Sequence, residues 1–190
     1  MGRNLLIVGA GIYALVASEI AAEMNCFDQI DFIDDAKAAT ANGIQVIGTM
    51  RDLEALSKRY SDVIVAIGNP EVRLSMLKRI REETDCRIVS LISPRAYISP
   101  TAQVMQGCII EPMAVVHTGC LLCEGCIISA GAVVNHASMC CDGVHVDCNA
   151  TIAGRCVVPA GTKVSSGITY KGEPISTDWI IPQNKIGERT

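Results

Sequence analysis

The sequence predicts an α/β parallel sheet followed by a parallel β-helix, and two patterns carry that prediction. Up to about residue 95, short apolar strands alternate with helix-periodic stretches, which implies a Rossmann-like parallel sheet covered on both faces. Beyond it, Ile98, Val104, Ile110, Val116, Leu122, Ile128, Val134, Cys140, Val146, Ile152, Val158 and Val164 recur every six residues, and eleven of these twelve are Ile, Leu or Val. Four residues after each stands a second set, Ala102, Cys108, Ala114, Cys120, Cys126, Ala132, Ser138, Val144, Ala150, Cys156 and Thr162, nearly all small. One branched and one small inward residue per hexapeptide is the pattern of a β-helix whose triangular coil takes three units, so the chain makes about four coils. The expected domains are the α/β unit over 1–95, the β-helix over 96–168 and a polar tail over 169–190.

In the first part, Leu5-Leu6-Ile7-Val8 ends in Gly9-Ala10-Gly11, which reads as a buried strand entering a turn. Leu15, Ile20 and Met24, with alanines between, suit a helix packed on a sheet. Ile30-Asp31-Phe32-Ile33 is a second strand ending at Asp34-Asp35, and Val46-Ile47 a short third. Leu53 and Leu56 mark a short helix. The strand Val63–Ile67 runs to Gly68-Asn69-Pro70, Val72, Met76, Leu77 and Ile80 repeat at helical spacing, and Arg87-Ile88-Val89 closes the set. Ligand sites of such sheets lie beyond the carboxyl ends of the strands.

Composition excludes several functions. With 190 residues, 16 Lys+Arg against 20 Asp+Glu and a net charge of −4, there is no basic footprint for nucleic acid. Aromatics at 4% exclude a stacking platform for single strands. No apolar run reaches the ~18–20 residues of a membrane span. The apolar stretch after Arg3 is interrupted by Gly9 and Gly11 and continues into a helix, so it reads as part of the fold rather than a signal peptide. A cytoplasmic location with reduced thiols is expected for the ten cysteines. Cys108, Cys120, Cys126, Cys140 and Cys156 hold inward positions as compact hydrophobes. Cys123, Cys141 and Cys148 fall near corners, and their pairing with inward thiols alternates between inside and outside, so no structural zinc is expected.

The outward neighbours of the inward positions are Ile109, Val115, Leu121, Ile127, Val133, Met139, His145, Thr151 and Val157, while residues 96–165 carry only Glu111, Glu124, Asp142, Asp147, Arg155 and Lys163 as charges. Such an apolar stripe predicts contact with another protein surface, and a prism with one sticky side closes most naturally as a threefold ring, a homotrimer. All three histidines lie in this half, off the inward positions. His117 and His136 fall near one corner on adjacent coils. His145, nine residues after His136, lies on another side of the prism, where a threefold interface would let the two converge.

The chain resembles the bacterial sugar acyltransferases of the sialic-acid O-acetyltransferase type, which include nucleotide-amino-sugar N-acetyltransferases. The resemblance rests on Leu6–Gly11, Phe32-Ile33-Asp34-Asp35, Val65–Asn69 with Arg73, Leu91-Ile92-Ser93-Pro94 leading into Ala96, and Val134-Asn135-His136 within uninterrupted hexapeptides. It implies a left-handed β-helix, against the usual crossover rule, and a trimer with acetyl-CoA between neighbouring helices. The N-terminal domain would hold a nucleotide-linked sugar. Gly9 and Gly11 would let phosphate approach backbone N–H groups at a helix start, Asp34 or Asp35 would accept bonds from base or ribose, and Asn69 and Arg73 would complete that site. His136 would be the general base of direct acyl transfer, since a neutral imidazole suits that task. His145 would contact the acetyl-CoA end, and the Gly154 N–H would meet the thioester oxygen. Where the family carries an acidic residue after the catalytic His, this chain has Ala137, leaving Asp142 or Asp147 as substitutes.

Three rival functions fit parts of the pattern. A zinc hydratase of the hexapeptide carbonic anhydrase type requires three well-placed histidines, two of them five apart, whereas His136 and His145 are nine apart. A non-catalytic nucleotide-binding scaffold would need no base. A redox enzyme would use the Gly-x-Gly turn and acidic residue for NAD.

Overall fold

In a computed structural model, which describes residues 3–36, 40–41 and 44–172, the first apolar run forms β1 (Asn4–Val8) inside a six-stranded sheet. It is followed by α1 (Ile12–Glu23), β2 (Gln29–Ile33), β3 (Thr40–Ala41), β4 (Ile44–Gly48), a 3-10 turn (Met50–Asp52), α2 (Leu53–Ser57), β5 (Asp62–Val65), α3 (Pro70–Glu83) and β6 (Arg87–Ile88). The order is β3-β4-β2-β1-β5-β6, parallel except for β3 against β4. Alternate residues of β1 face opposite layers: Leu5 and Ile7 pack with α1, Leu6 and Val8 with α2 and α3, which is why the run is apolar throughout. Gly9 ends β1 at φ +115°, and a Cβ there would lie 3.0 Å from the Ala66 carbonyl oxygen. Only glycine lets the chain turn so close to its neighbour strand.

The second half is a prism of two-residue rungs in three sheets of five, five and four, each rung paired in parallel with the one a coil later. The rungs run from Leu91–Ile92 to Thr169–Tyr170, so the prism begins before the residue 96 expected and continues past 168. The part of the expected tail beyond residue 172 lies outside the described residues. The period has a backbone cause. A left-handed residue recurs at every sixth position from 107 to 167; seven of the eleven are glycines and the others are Met113, Ala137, Asn149 and Arg155. Each turns a corner. Inside, Cys108, Cys120, Cys126, Cys140 and Cys156 are at most 2% exposed among the branched residues of the stack.

The apolar stripe divides among the three sides, and one side is covered from within the chain. The outward ladder Leu91, Ile109, Ile127, His145, Lys163 runs along one sheet. Leu91, Ile109 and Ile127 are fully buried beneath α1, with Ala14, Ala17 and Ala21. Ile109, Ile127 and His145 are therefore not oligomer surface, as the sequence pattern had suggested. A six-residue period separates inside from outside and carries no mark of which side the α/β unit will cover. Val115, Val133 and Thr151 on the second side, and Leu121, Met139 and Val157 on the third, remain half-buried.

At a second contact, α3 lies on a ridge of stacked corner glycines. A Cβ on Gly107 or Gly125 would stand 3.1 or 2.9 Å from Leu77 Cδ1, and one on Gly143 2.9 Å from Leu74 Cδ1. Helix and prism thus meet at the distance that only glycine corners allow.

Candidate active site

The rung Val133–Val134 carries the chain to a corner where Ala137 adopts φ +57°. The turn leaves His136 exposed on the rim of the prism. The Asn135 side-chain oxygen receives the His136 backbone N–H at 2.8 Å and meets its ring Nδ1 at 2.8 Å. One coil later stands Gly154, and a Cβ there would lie 2.7 Å from the ring Cε1 and 2.9 Å from Nε2. His136 and Gly154, expected to share the transfer step, are therefore neighbours. Gly154→Ala should displace the imidazole while leaving melting unchanged, because the ring is the part free to move. A shift near 1 Å costs about 100-fold in rate, and steady-state kinetics beside a thermal melt will show whether rate falls alone.

His145 lies elsewhere. It is 8% exposed, at the end of the ladder under α1, with Nε2 3.1 Å from Ser129 Oγ and its ring centroid 6.5 Å from that of Tyr13. Its Nδ1 and the Tyr13 hydroxyl are both buried without a hydrogen-bond partner among the described residues. Burial, then Lys163, push the His145 imidazole down to about 4, with Asp147 opposing and Arg73 adding. Burial likewise raises the Tyr13 phenol, and the Glu111 carboxylate adds to it. The unfolded chain takes up a proton at this histidine below about pH 6.5, which the folded chain refuses until about pH 4. The stability it contributes is thus complete above 6.5 and is lost as pH falls from there towards 4. Denaturant titrations should show native protein losing on the order of 1–3 kcal/mol more than His145→Gln over that window. Equal losses would contradict the assignment.

Around the glycine turn, the Asp34 carboxylate accepts the Ala10 N–H at 2.7 Å and the Ala36 N–H at 2.8 Å, bracing the turn itself. A carboxylate at that N–H repels a phosphate from it, so the simple picture of phosphate cradled between Gly9 and Gly11 is modified. Gly11 begins α1, with open space where a Cβ would stand. Asp35 is exposed and accepts the Met50 N–H at 2.7 Å. Asn69 caps α3 through the Val72 N–H at 3.0 Å and is exposed beside open Gly68. Arg73 is different. It is fully buried and donates to the carbonyls of Ile67 and Gly68 in its own domain and Gly125 and Gly143 in the prism, at 2.7–2.9 Å. Its guanidinium joins the domains instead of facing an open pocket.

Residues 4–80 match the PglD N-terminal domain family. The acetyltransferase domain of PglB from Neisseria gonorrhoeae FA1090, solved in complex with acetyl coenzyme A, is 30% identical over 90% of this chain and 83% of that chain, with a TM-score of 0.84. The chain belongs to the hexapeptide-repeat sugar acyltransferases. Its fold, an α/β domain followed by a left-handed β-helix, is theirs. A perosamine N-acetyltransferase variant from Caulobacter crescentus, in complex with CoA and GDP-perosamine, shares the fold at 19% identity and a TM-score of 0.60, covering 87% of this chain and 90% of that one. WeeI from Acinetobacter baumannii AYE does so at 16% and 0.54, covering 88% of each. Among curated proteins none matches the sequence.

In this acyltransferase, neither substitute considered for the carboxylate missing at Ala137 reaches His136. Asp142 accepts the Glu124 N–H at 3.0 Å, and Asp147 pairs with Lys163 at 3.0 Å. Sequence reasoning passed over Asn135, Glu111 and Ser129. Glu111 is 8% exposed and accepts the Ala130 N–H at 3.0 Å. Its signal was present, as one of four carboxylates in a charge-poor repeat, one coil before Ser129. Among the described residues, no three His, Cys, Asp or Glu gather where they could hold a metal ion, and no helix is long and apolar enough to cross a membrane.

Proposed function

We propose that this acyltransferase moves the acetyl group of acetyl-CoA directly onto the amine of a nucleotide-linked sugar, with a sugar hydroxyl as the alternative acceptor. The observation that carries the reading is His136, exposed at a prism corner, held through Nδ1 and set with its Cε1 edge against Gly154. In the reaction the amine nitrogen attacks the thioester carbonyl, forming the C–N bond and a tetrahedral oxyanion. The Gly154 N–H donates to that oxygen. His136 Nε2 takes the proton from the amine, the C–S bond breaks, and the leaving sulfur takes the proton back as CoA thiol. Holding both substrates in line contributes alongside the base.

The sugar nucleotide is assigned to the α/β domain, at the carboxyl ends of its strands, where Gly11, Asp35 and Asn69 line the open side and Gly9 and Asp34 set the turn. His145 is assigned to the acyl end of the site through its Nδ1, which is buried and unpaired among the described residues. The active unit is a homotrimer, which would cover the half-buried residues left on two sides of the prism, and the compartment is the cytoplasm. Support for acetyl-CoA as donor comes from the 30% identical PglB domain solved with it. The test is a thiol-release assay with acetyl-CoA against a panel of nucleotide amino sugars and their hydroxyl counterparts. One amino sugar should give saturable release well above the hydroxyl series. No release with any acceptor would overturn the proposal.

A further inference from the structure

We infer that Asn135 is the positioning residue for His136, taking the orienting task that the family gives to a carboxylate and this chain lacks at Ala137. The inference rests on the reading of His136 as base, and its geometric part stands independently. One oxygen decides it. A backbone N–H can only donate, so the Asn135 atom that receives the His136 N–H at 2.8 Å must be the amide oxygen and not the amide nitrogen. The same oxygen lies 2.8 Å from ring Nδ1. It can only accept, so Nδ1 carries the proton and Nε2 keeps its lone pair in the neutral ring. The ring turns its Cε1 edge to Gly154, where a Cβ would stand 2.9 Å from Nε2 and 3.1 Å from Nδ1, and with Nδ1 engaged by Asn135 it is Nε2 that is left free to take the transferred proton. No other described group competes for Nδ1: Ala137 offers a methyl group, and Asp142 and Asp147 are bonded elsewhere.

An amide orients the ring without a negative charge to stabilise the imidazolium. Replacing it by a carboxylate should therefore keep the orientation and raise the ring's affinity for the proton. In protein labelled with 15N at histidine, the His136 ring shifts of the native chain should be those of the Nδ1–H tautomer, and Asn135→Ala should lose that bias. Kinetically, Asn135→Ala should lower kcat about 10- to 100-fold with KM for both substrates unchanged. Asn135→Asp should restore most of kcat and move the acid limb of the pH–rate profile to higher pH. A thermal melt equal to that of the native chain keeps Asn135→Ala interpretable, and the tautomer measurement serves if it is less stable.

An Nε2–H tautomer in the native chain, or the same tautomer in Asn135→Ala, overturns the inference. So does full kcat in Asn135→Ala when His136→Ala is inactive. If His136→Ala instead keeps full transfer, the base reading fails, while the tautomer measurement still decides whether Asn135 orients the ring.

Discussion

His136→Ala is expected to lower acetyl transfer by about 10²–10⁴-fold, the span that loss of a general base produces, with KM for acetyl-CoA nearly unchanged. The ring stands exposed on the prism rim, bonded to the adjacent Asn135. Removing it leaves no cavity and strands no buried partner, so melting should move by little, within about ±0.5 kcal/mol. Loss of rate with intact stability separates a chemical role from a structural one. A variant with full kcat would place the base elsewhere or show that the acceptor arrives already deprotonated.

The largest stability effect is expected at Arg73. Its side chain is fully buried, burial holds its pKa below the usual value, and all its bonds run to backbone carbonyls. Arg73→Ala strands four carbonyls, two in each domain, and removes the stem beside Leu74 and Leu77 on the glycine ridge. Bonds to a charged donor contribute about 1.5–3 kcal/mol each and do not add fully, so a loss of about 3–5 kcal/mol is expected. For a chain of this size that lowers Tm by roughly 6–20 °C. Arg73→Lys should rescue little, because one ammonium cannot span carbonyls that the planar fork reaches together. A Tm within about 2 °C of native for Arg73→Ala would contradict the assignment of Arg73 to the domain junction.

The two positions show what the sequence could and could not disclose. The β-helix was legible because its cause repeats: a left-handed corner and an inward pair in every hexapeptide leave a mark that no other fold reproduces. His136 was legible as an imidazole off the inward positions of a charge-poor repeat, and Gly154 only through the family resemblance; the structure sets the two at one corner, a coil apart. The junction at Arg73 was not legible, since the carbonyls it joins lie 52 and 70 residues away and carry no side-chain signal. The same limit hid which side of the prism α1 covers, and so gave Ile109, Ile127 and His145 to a partner when the chain itself buries them. The first rung, Leu91–Ile92, follows β6 so closely that it reads as a link leading into the repeat and not as its first unit. The two-residue β3 is too short to show any period.

Direct transfer also bears on the ten cysteines, any of which would be a nucleophile for a stepwise route. Burial raises the thiols of Cys120, Cys140 and Cys156, and Cys123 at a corner is pushed up to about 11, so they hold their protons near neutral pH. The decisive measurement is a quenched time course in which CoA thiol, acetylated sugar and the intact mass of the protein are read from the same samples, with and without acceptor. Equal thiol and acetyl-sugar, an unmodified protein, and no thiol release before acceptor is added are the predicted results. A chain that gains an acetyl group when mixed with acetyl-CoA alone, and loses it to the sugar, would contradict direct transfer at His136.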